Sequence, residues 1–211
     1  MVLRRLCWLV AVLAASTGGA AARDFLPLEH GLRYVGREGM TPVTVEVTLH
    51  ERPDGDFDYV QWVMPRGWAT WFVRPATTKA RLRYRDERLV SLGFEDRDGV
   101  RTRPANLAPD CLDKLAVRLR ARADIAQGVR RAEYTVWGEG DMQEAWILEV
   151  SDAESVQTPD GTYQSLKFRL GSESEWIEGW SAPLLIFHFV KIVHWRDGKQ
   201  IAELSLDGKQ L

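Results

Sequence analysis

Alternating apolar and polar residues recur along most of this chain. In residues 43–49, Val43, Val45, Val47 and Leu49 alternate with three polar residues. Because successive side chains of a strand point to opposite faces, the pattern predicts a strand with one buried face. Similar runs predict strands over residues 58–64, 79–85, 88–95, 132–138, 142–150, 161–170, 184–195 and 200–206. Turn signals at residues 53–56 and 197–198 predict hairpins between neighbouring strands.

Residues 109–128 show a different period. Leu112, Leu115, Ala116 and Leu119 recur at helical spacing, and the positions between them are largely charged. This spacing predicts an amphipathic helix. Asp110 is expected to cap its start, and a glycine at position 128 to stop its end.

Together these elements define a fold class. About ten strands with one helix predict a mainly β protein, built as a strongly curved antiparallel sheet or a barrel-like meander with the amphipathic helix packed against it. An open sheet of that size would expose its edges and one uncovered face, so curvature or closure is expected.

The first 22 residues have the pattern of a cleavable signal peptide. Arg4 and Arg5 precede a short apolar run, and small residues end in an alanine triplet at positions 20–22. The apolar run is too short to span a bilayer, which needs roughly 20 residues. We therefore expect residues 23–211 to form one β-rich domain in the periplasm of a Gram-negative bacterium, with no membrane span after cleavage.

Charge and cysteine content exclude several functions. Lys and Arg total 28 and Asp and Glu total 30, so the net charge of -2 lacks the basic excess of nucleic-acid-binding proteins. Of the two cysteines, Cys7 lies in the signal peptide, and Cys111 is expected to be buried and inert. Common catalytic, phosphate-binding and metal-binding motifs are absent from the sequence. We therefore predict no catalytic residues, no cofactor and no metal.

Tryptophan is abundant, with nine residues in the chain. Three of them fall within residues 62–71, where so much aromatic area has to lie against another surface. Aromatic side chains often line pockets for apolar or sugar ligands, whereas packing in the core is the competing interpretation. The predicted ligand-binding residues are Trp62, Met64, Trp68, Trp71, Trp176 and Trp180.

A row of cations marks one face of the strand at residues 79–85. Arg81, Arg83 and Arg85 follow Lys79 at a period of two. The three arginines are candidates for binding an anionic lipid head group or polysaccharide. The competing interpretation is a solvent-facing surface that acidic neighbours neutralise.

Two further groups of polar residues have simpler explanations. Glu139, Asp141 and Glu144 lie at a predicted turn, where a solvated turn competes with glycoside chemistry or a calcium site. His188 and His194 are about 20 Å apart along a straight strand, too far to share one metal. We expect each histidine to have its own hydrogen-bond partner.

The order of landmarks in the second half resembles a known family. A helix over residues 113–128 precedes a strand at 134–138, the turn Thr158-Pro-Asp-Gly161 and the element Trp180-Ser-Ala-Pro183. This order resembles the bacterial exported family called domain of unknown function 3108. The family often has a proline in the strand after the last element, where this chain has Phe189. The resemblance implies a periplasmic, β-rich domain that is similar in outline to curved half-barrels that hold lipid-like ligands, and it implies no established activity.

Two functions follow from these observations. The first is a non-enzymatic binding or carrier protein for a lipid-like or apolar ligand. The alternative is an envelope glycan-binding module or glycan-active enzyme that uses exposed tryptophans and paired carboxylates such as Glu139 and Glu144. A structural partner of another envelope protein is a third possibility.

Overall fold

Two meanders of antiparallel strands, joined edge to edge, form the fold. The computed structural model describes residues 29–85, 88–96, 99–102, 107–108, 110–137 and 142–210. The predicted signal peptide lies outside these described residues. No helix among them is long and apolar enough to cross a membrane.

Twelve strands belong to one sheet. The first meander consists of β1 His30–Glu38, β2 Thr41–Glu51, β3 Phe57–Pro65, β4 Ala76–Arg85, β5 Arg88–Asp96 and β6 Gly99–Thr102. The second consists of β7 Arg131–Trp137, β8 Gln143–Thr158, β9 Gly161–Gly171, β10 Glu175–Ala182, β11 His188–Arg196 and β12 Lys199–Gln210. Pairing of β1 with β12 joins the two meanders, so the strand order runs from β6 to β1 and then from β12 to β7.

This architecture confirms the predicted fold class. The sheet is antiparallel and carries one α-helix, α1 Ala116–Ala126. The alternation of apolar residues on β2 is reproduced in burial, with Val43, Val45, Val47 and Leu49 all buried. In the part of the chain that the structure describes, the two edge strands β6 and β7 do not pair with each other, so the sheet is not closed.

The α-helix packs against the concave side of the sheet. Val117, Ala121 and Ile125 of α1 are buried in one hydrophobic cluster with inward-facing residues of both meanders, including Leu49 and Leu206. The helix thereby supplies the second layer that a curved sheet needs to bury its inner face.

The start of α1 differs from the prediction. The helix begins at Ala116, and the carboxylate of Asp113, rather than Asp110, accepts hydrogen bonds from the backbone N–H groups of Leu115 and Ala116, each at 2.8 Å. Asp113 is buried, and Ser91 of β5 donates to its other oxygen at 2.5 Å. Because Asp113 joins the helix to β5, its hydrogen bonds also fix α1 to the sheet. Gly128, with a φ of 81°, follows the end of the helix as predicted.

The segment before α1 lies beside edge strand β7. Leu112 forms a parallel bridge with Val136, and Cys111 is fully buried in a small cluster with Leu107 and Trp137. Phe94 of β5 packs against the same cluster. Residues from both ends of the sheet thus meet around this segment.

One predicted strand begins later than expected. Pro183–Leu185 form a short 3-10 helix, and Ile186 and Phe187 have positive φ angles of 50° and 59°. These left-handed conformations cannot continue a strand, so β11 starts at His188 instead of residue 184.

Candidate functional site

A partly enclosed cavity lies between α1 and the concave face of the sheet. Inward-facing residues of β1–β3 and β10–β12 line it, together with Arg118 of α1. Its volume is about 130 Å³, which holds a short apolar group, and its open side leaves room for a longer chain to extend outward. The apolar wall consists of Val43, Val45, Val47, Val63, Ile177, Phe189, Ile192, Ala202 and Leu204.

Strand register explains why these residues converge. Val45 of β2 lies opposite Tyr34 of β1 and Val63 of β3, so inward-facing positions form continuous rows across the sheet. Leu204 of β12 lies opposite Ile192 of β11 and continues the wall into the second meander. Because β1 pairs with β12, residues from the two ends of the chain share one cavity.

The cavity opens toward the end of the sheet that carries the β1–β2 and β11–β12 turns. Val63, Ile192 and Leu204 are half-buried near that end, whereas Tyr34 and Val47 are buried deeper inside. A ligand would therefore enter past the half-buried residues and place its leading end near Tyr34.

Two other depressions are larger but more open. One of about 330 Å³ lies along β1, β2 and β12 beside Gly31 and Gly208. Another of about 330 Å³ lies where Arg120 and Asp124 of α1 meet β7. Small-molecule sites bury most of the ligand surface, so we take the smaller, more enclosed cavity as the candidate site.

Arg118 is the cationic group in the cavity wall. Its Nη1 donates a hydrogen bond to Oε1 of Gln61 at 3.1 Å. Its Nε is buried and has no hydrogen-bond partner among the described residues. A buried N–H without an acceptor costs free energy, so this position favours a ligand or water that brings an oxygen atom.

A second arginine of α1 is buried beside histidines. Nη1 of Arg122 lies 2.7 Å from Nδ1 of His188, and the His188 ring contacts that of His30 at 4.4 Å between centroids. Burial, followed by the charge of Arg122, lowers the pKa of His188 to about 2. His188 is therefore neutral at physiological pH and accepts a hydrogen bond from the guanidinium N–H of Arg122. Helical spacing puts Arg122 on the polar side of the predicted helix, whereas the structure buries it.

His194 has a separate partner at the cavity edge. Its Nε2 lies 2.9 Å from Oε1 of Glu175, and Lys114 and Arg196 also contact this carboxylate. Burial opposes ionisation of Glu175, but hydrogen bonds from His194 and the cations hold its pKa well below the ordinary range. The histidines thus have distinct partners, as expected.

The tryptophans and methionine predicted to bind ligand lie away from this cavity. Trp62 and Met64 alternate with Gln61 and Val63 on β3 and project from the outer face. Trp68 and Trp71 lie in a 3-10 helix, Gly67–Trp71, between β3 and β4, and both are exposed. Their role in ligand binding stays a prediction.

Trp176 and Trp180 lie on the outer face of β10. Trp176 stacks on Trp195 at 5.9 Å, and the guanidinium of Arg169 lies 4.5 Å from its ring centre. Trp180 is buried, and its Nε1 donates to Glu154. These rings pack under long cationic side chains, and a role for them in ligand binding stays a prediction.

The cationic face of β4 meets a cluster of aspartates. Nε of Arg83 donates to Asp56 at 2.5 Å, and Nη2 of Arg81 donates to Asp54 and Asp56 at 2.8 and 3.0 Å. Hydrogen bonds from Arg83, opposed by burial, hold the pKa of Asp56 below its usual range. The β2–β3 turn thus supplies neutralising carboxylates. The side chain of Arg85 lies outside the description, and anion binding by the three arginines stays a prediction.

The predicted carboxylate group is only partly described. Glu139 and Asp141 lie outside the described residues. Glu144 is the second residue of β8, and Nε1 of Trp146 donates a hydrogen bond to its carboxylate at 3.4 Å. No set of three or more His, Cys, Asp or Glu side chains in the described ranges is arranged to hold a metal ion.

Comparisons with known proteins found a similarity of fold but none of sequence. No family model matches the sequence, and no curated protein matches it. The chain is similar to a crystal structure of a β-barrel-like protein of domain of unknown function 1849 from Brucella abortus, at 6% identity and a TM-score of 0.52. That alignment covers 87% of this chain and 97% of the other. The similarity shows a shared β-barrel-like fold.

A more distant structural match is MucB, at 9% identity and a TM-score of 0.38. The alignment covers 92% of this chain and 59% of MucB. This similarity is too low to carry an argument. Membership of domain of unknown function 3108, which the sequence landmarks suggested, is not shown by these comparisons, although the solved relative also belongs to a domain of unknown function.

Proposed function

We propose that this protein is a binding or carrier protein that takes an apolar, lipid-like ligand into the cavity between α1 and the sheet. The observation that carries the proposal is the cavity wall, in which aliphatic side chains of five strands face one helix. Burial of an apolar chain there is favoured at about 25 cal/mol per Å² of surface removed from water. The signal-peptide pattern of residues 1–22 supports a periplasmic location for this proposed activity.

The polar groups of the wall suggest which ligands fit. Arg118 offers a cation and a buried Nε–H, and Gln61 holds the guanidinium from the other side. An amphiphile with an anionic oxygen, such as a fatty acid, satisfies both the apolar wall and this donor. We therefore place the carboxylate of such a ligand at Arg118.

A cavity-filling substitution tests the proposal. Leu204→Trp adds a large ring at a half-buried wall position. Titration of the protein with a dansylated fatty acid is expected to show saturable binding for the natural chain and at least tenfold weaker binding for this variant. The matched control is Ser205→Trp, the neighbouring position of β12 that faces away from the cavity and is expected to keep binding.

Thermal unfolding of both variants separates loss of binding from loss of fold. Equal probe binding by the natural chain and by folded Leu204→Trp would contradict a site in this cavity. Arg118→Met, which keeps an unbranched apolar stem but removes the guanidinium and its charge, is expected to weaken binding of the fatty acid more than that of its methyl ester.

Exposed tryptophans favour a second candidate, a glycan-binding module. Trp68 and Trp71 have the exposure that stacking on sugar rings requires. Titration of the protein with soluble envelope oligosaccharides tests this candidate. If the protein is a glycan-binding module, Trp68→Ala is expected to lose oligosaccharide binding. Saturable oligosaccharide binding with no uptake of the fatty acid would replace the carrier proposal.

A further inference from the structure

The connection between β3 and β4 exposes a dense group of aromatic side chains. We call residues 66–74 the aromatic loop. Trp71 and Phe72 are 84% and 82% exposed, and Trp68 is 59% exposed. Met40, in the β1–β2 turn, is 89% exposed. Several large apolar side chains exposed close together in the chain commonly mark an interaction site.

Local hydrogen bonds hold these side chains outward. The N–H groups of Phe72 and Val73 donate to the carbonyl of Ala69, and the hydroxyl of Thr70 donates to the carbonyl of Gly67. Ala69 is fully buried and anchors the inner side of the turn. The exposure of the rings is thus a property of an ordered 3-10 turn.

The aromatic loop is fixed to the neighbouring turn. The N–H of Arg66 donates to the carbonyl of Pro42 at 2.8 Å, next to the turn that carries Met40. Val43 of the cavity wall lies opposite Pro65, the residue before the loop. The aromatic surface therefore lies at the end of the sheet where the cavity opens.

Charge indicates which partner fits this surface. Arg66 and Arg74 bound the aromatic rings, and no Asp or Glu occurs between residues 59 and 85 of the sequence. Neither arginine forms an ion pair with a described residue, whereas Arg81 and Arg83 on the adjacent strand do. At the end of β1, before the neighbouring turn, Arg37 and Glu38 carry opposite charges.

Tryptophan rings flanked by arginines match the interface of an anionic phospholipid bilayer. Indole rings favour the head-group region, where their apolar body and N–H are both accommodated. Each basic side chain near an anionic surface adds about 1 kcal/mol of attraction. We propose that the aromatic loop docks the protein on an anionic phospholipid surface, with Trp68, Trp71 and Phe72 inserted among the head groups.

Docking would place the mouth of the cavity against the bilayer. Transfer of a lipid-like ligand between membrane and cavity would then need no passage through water, and this consequence rests on the proposed function. The docking itself depends only on the loop. The two proposals can therefore fail separately.

Flotation with lipid vesicles tests the docking. The mature chain is expected to float with vesicles of phosphatidylethanolamine and phosphatidylglycerol, and to stay largely unbound with phosphatidylcholine alone. Trp71→Ala combined with Phe72→Ala is expected to weaken vesicle binding at least tenfold, because two large side chains no longer leave water. Arg66→Glu with Arg74→Glu is expected to remove the preference for phosphatidylglycerol.

A matched control exists at another exposed apolar position. Leu184 is 82% exposed but lies between β10 and β11, at the opposite end of the sheet. Leu184→Ala is expected to bind vesicles like the natural chain, and so is Leu204→Trp. Failure of the natural chain to float with either vesicle, or equal loss in Leu184→Ala, would overturn the proposal. Concentration-dependent dimers that Trp71→Ala abolishes, without vesicle binding, would instead assign the loop to a second copy of the chain.

Discussion

Tryptophans occupy two different environments in this molecule. On β10 and β11, Trp180 lies beneath the ammonium groups of Lys167 and Lys191, at 5.2 and 5.3 Å from its ring centre. In the aromatic loop, Trp71 has most of its surface in water. The same residue type packs against the sheet in one region and is exposed to solvent in the other. The difference arises from the strands, which supply covering neighbours, and from the loop, which does not.

Substitution of Trp180 should have the largest effect. Trp180→Ala is expected to lower the free energy of unfolding by about 3–5 kcal/mol, because it leaves a cavity and removes the partner of Glu154. Urea unfolding monitored by circular dichroism measures the change. Trp71→Ala, the matched substitution in the aromatic loop, is expected to change stability by no more than about 0.5 kcal/mol. Similar losses for both variants would remove the distinction between the two regions.

A second contrast is between two aspartates of the β2–β3 turn: Asp56 is buried, and Asp54 is exposed. Asp56→Ala is expected to cost about 2–3 kcal/mol, since it leaves Arg81 and Arg83 facing each other without the buried carboxylate. The value is below that of a fully buried pair because both guanidinium groups are partly exposed. Asp54→Ala removes an exposed carboxylate of the same turn and is expected to have a much smaller effect on stability. Equal effects in chemical unfolding would contradict the role given to Asp56.

The buried side chain of His188 is expected to make the stability of the fold depend on pH. The folded-state pKa of His188, about 2, lies below its unfolded value of about 6.5, so acid favours the unfolded chain. Stability is fully present above that unfolded value and is lost as pH falls toward the folded one. Between about pH 7 and about pH 5 the expected loss from His188 is about 2 kcal/mol. His188→Gln, which can still accept from Arg122, is expected to show a smaller loss in urea titrations at the two pH values.

Much of the sheet could be predicted from the sequence because period-two alternation survives wherever one face is buried. β1, β6 and β10 were not predicted: glycines interrupt the pattern of β1, β6 has only four residues, and β10 is buried on parts of both faces. The predicted strand ends at residue 150, whereas β8 continues to Thr158. Residues 151–155 are all exposed, so no apolar alternation marks this second half of the strand. Hydrophobic alternation carries no information where neither face is covered.

The candidate site was harder to predict than the fold. Its wall consists of ordinary strand residues such as Val45 and Leu204, which become a cavity only when β1 pairs with β12. The abundance of tryptophan indicates residues that, in the structure, project from the outer face of the sheet or into solvent. Arg118 and Gln61 lie 57 positions apart, and no local pattern links them. Signals of long-range register are absent from a single sequence.

Native mass spectrometry of the mature chain, purified from a bacterial periplasm and paired with lipid extraction, tests the carrier proposal most directly. We expect a co-purifying acyl lipid that is lost in Leu204→Trp and kept in Ser205→Trp, with both variants folded. A natural chain that is free of lipid, and that takes up no fatty acid on incubation, would contradict it.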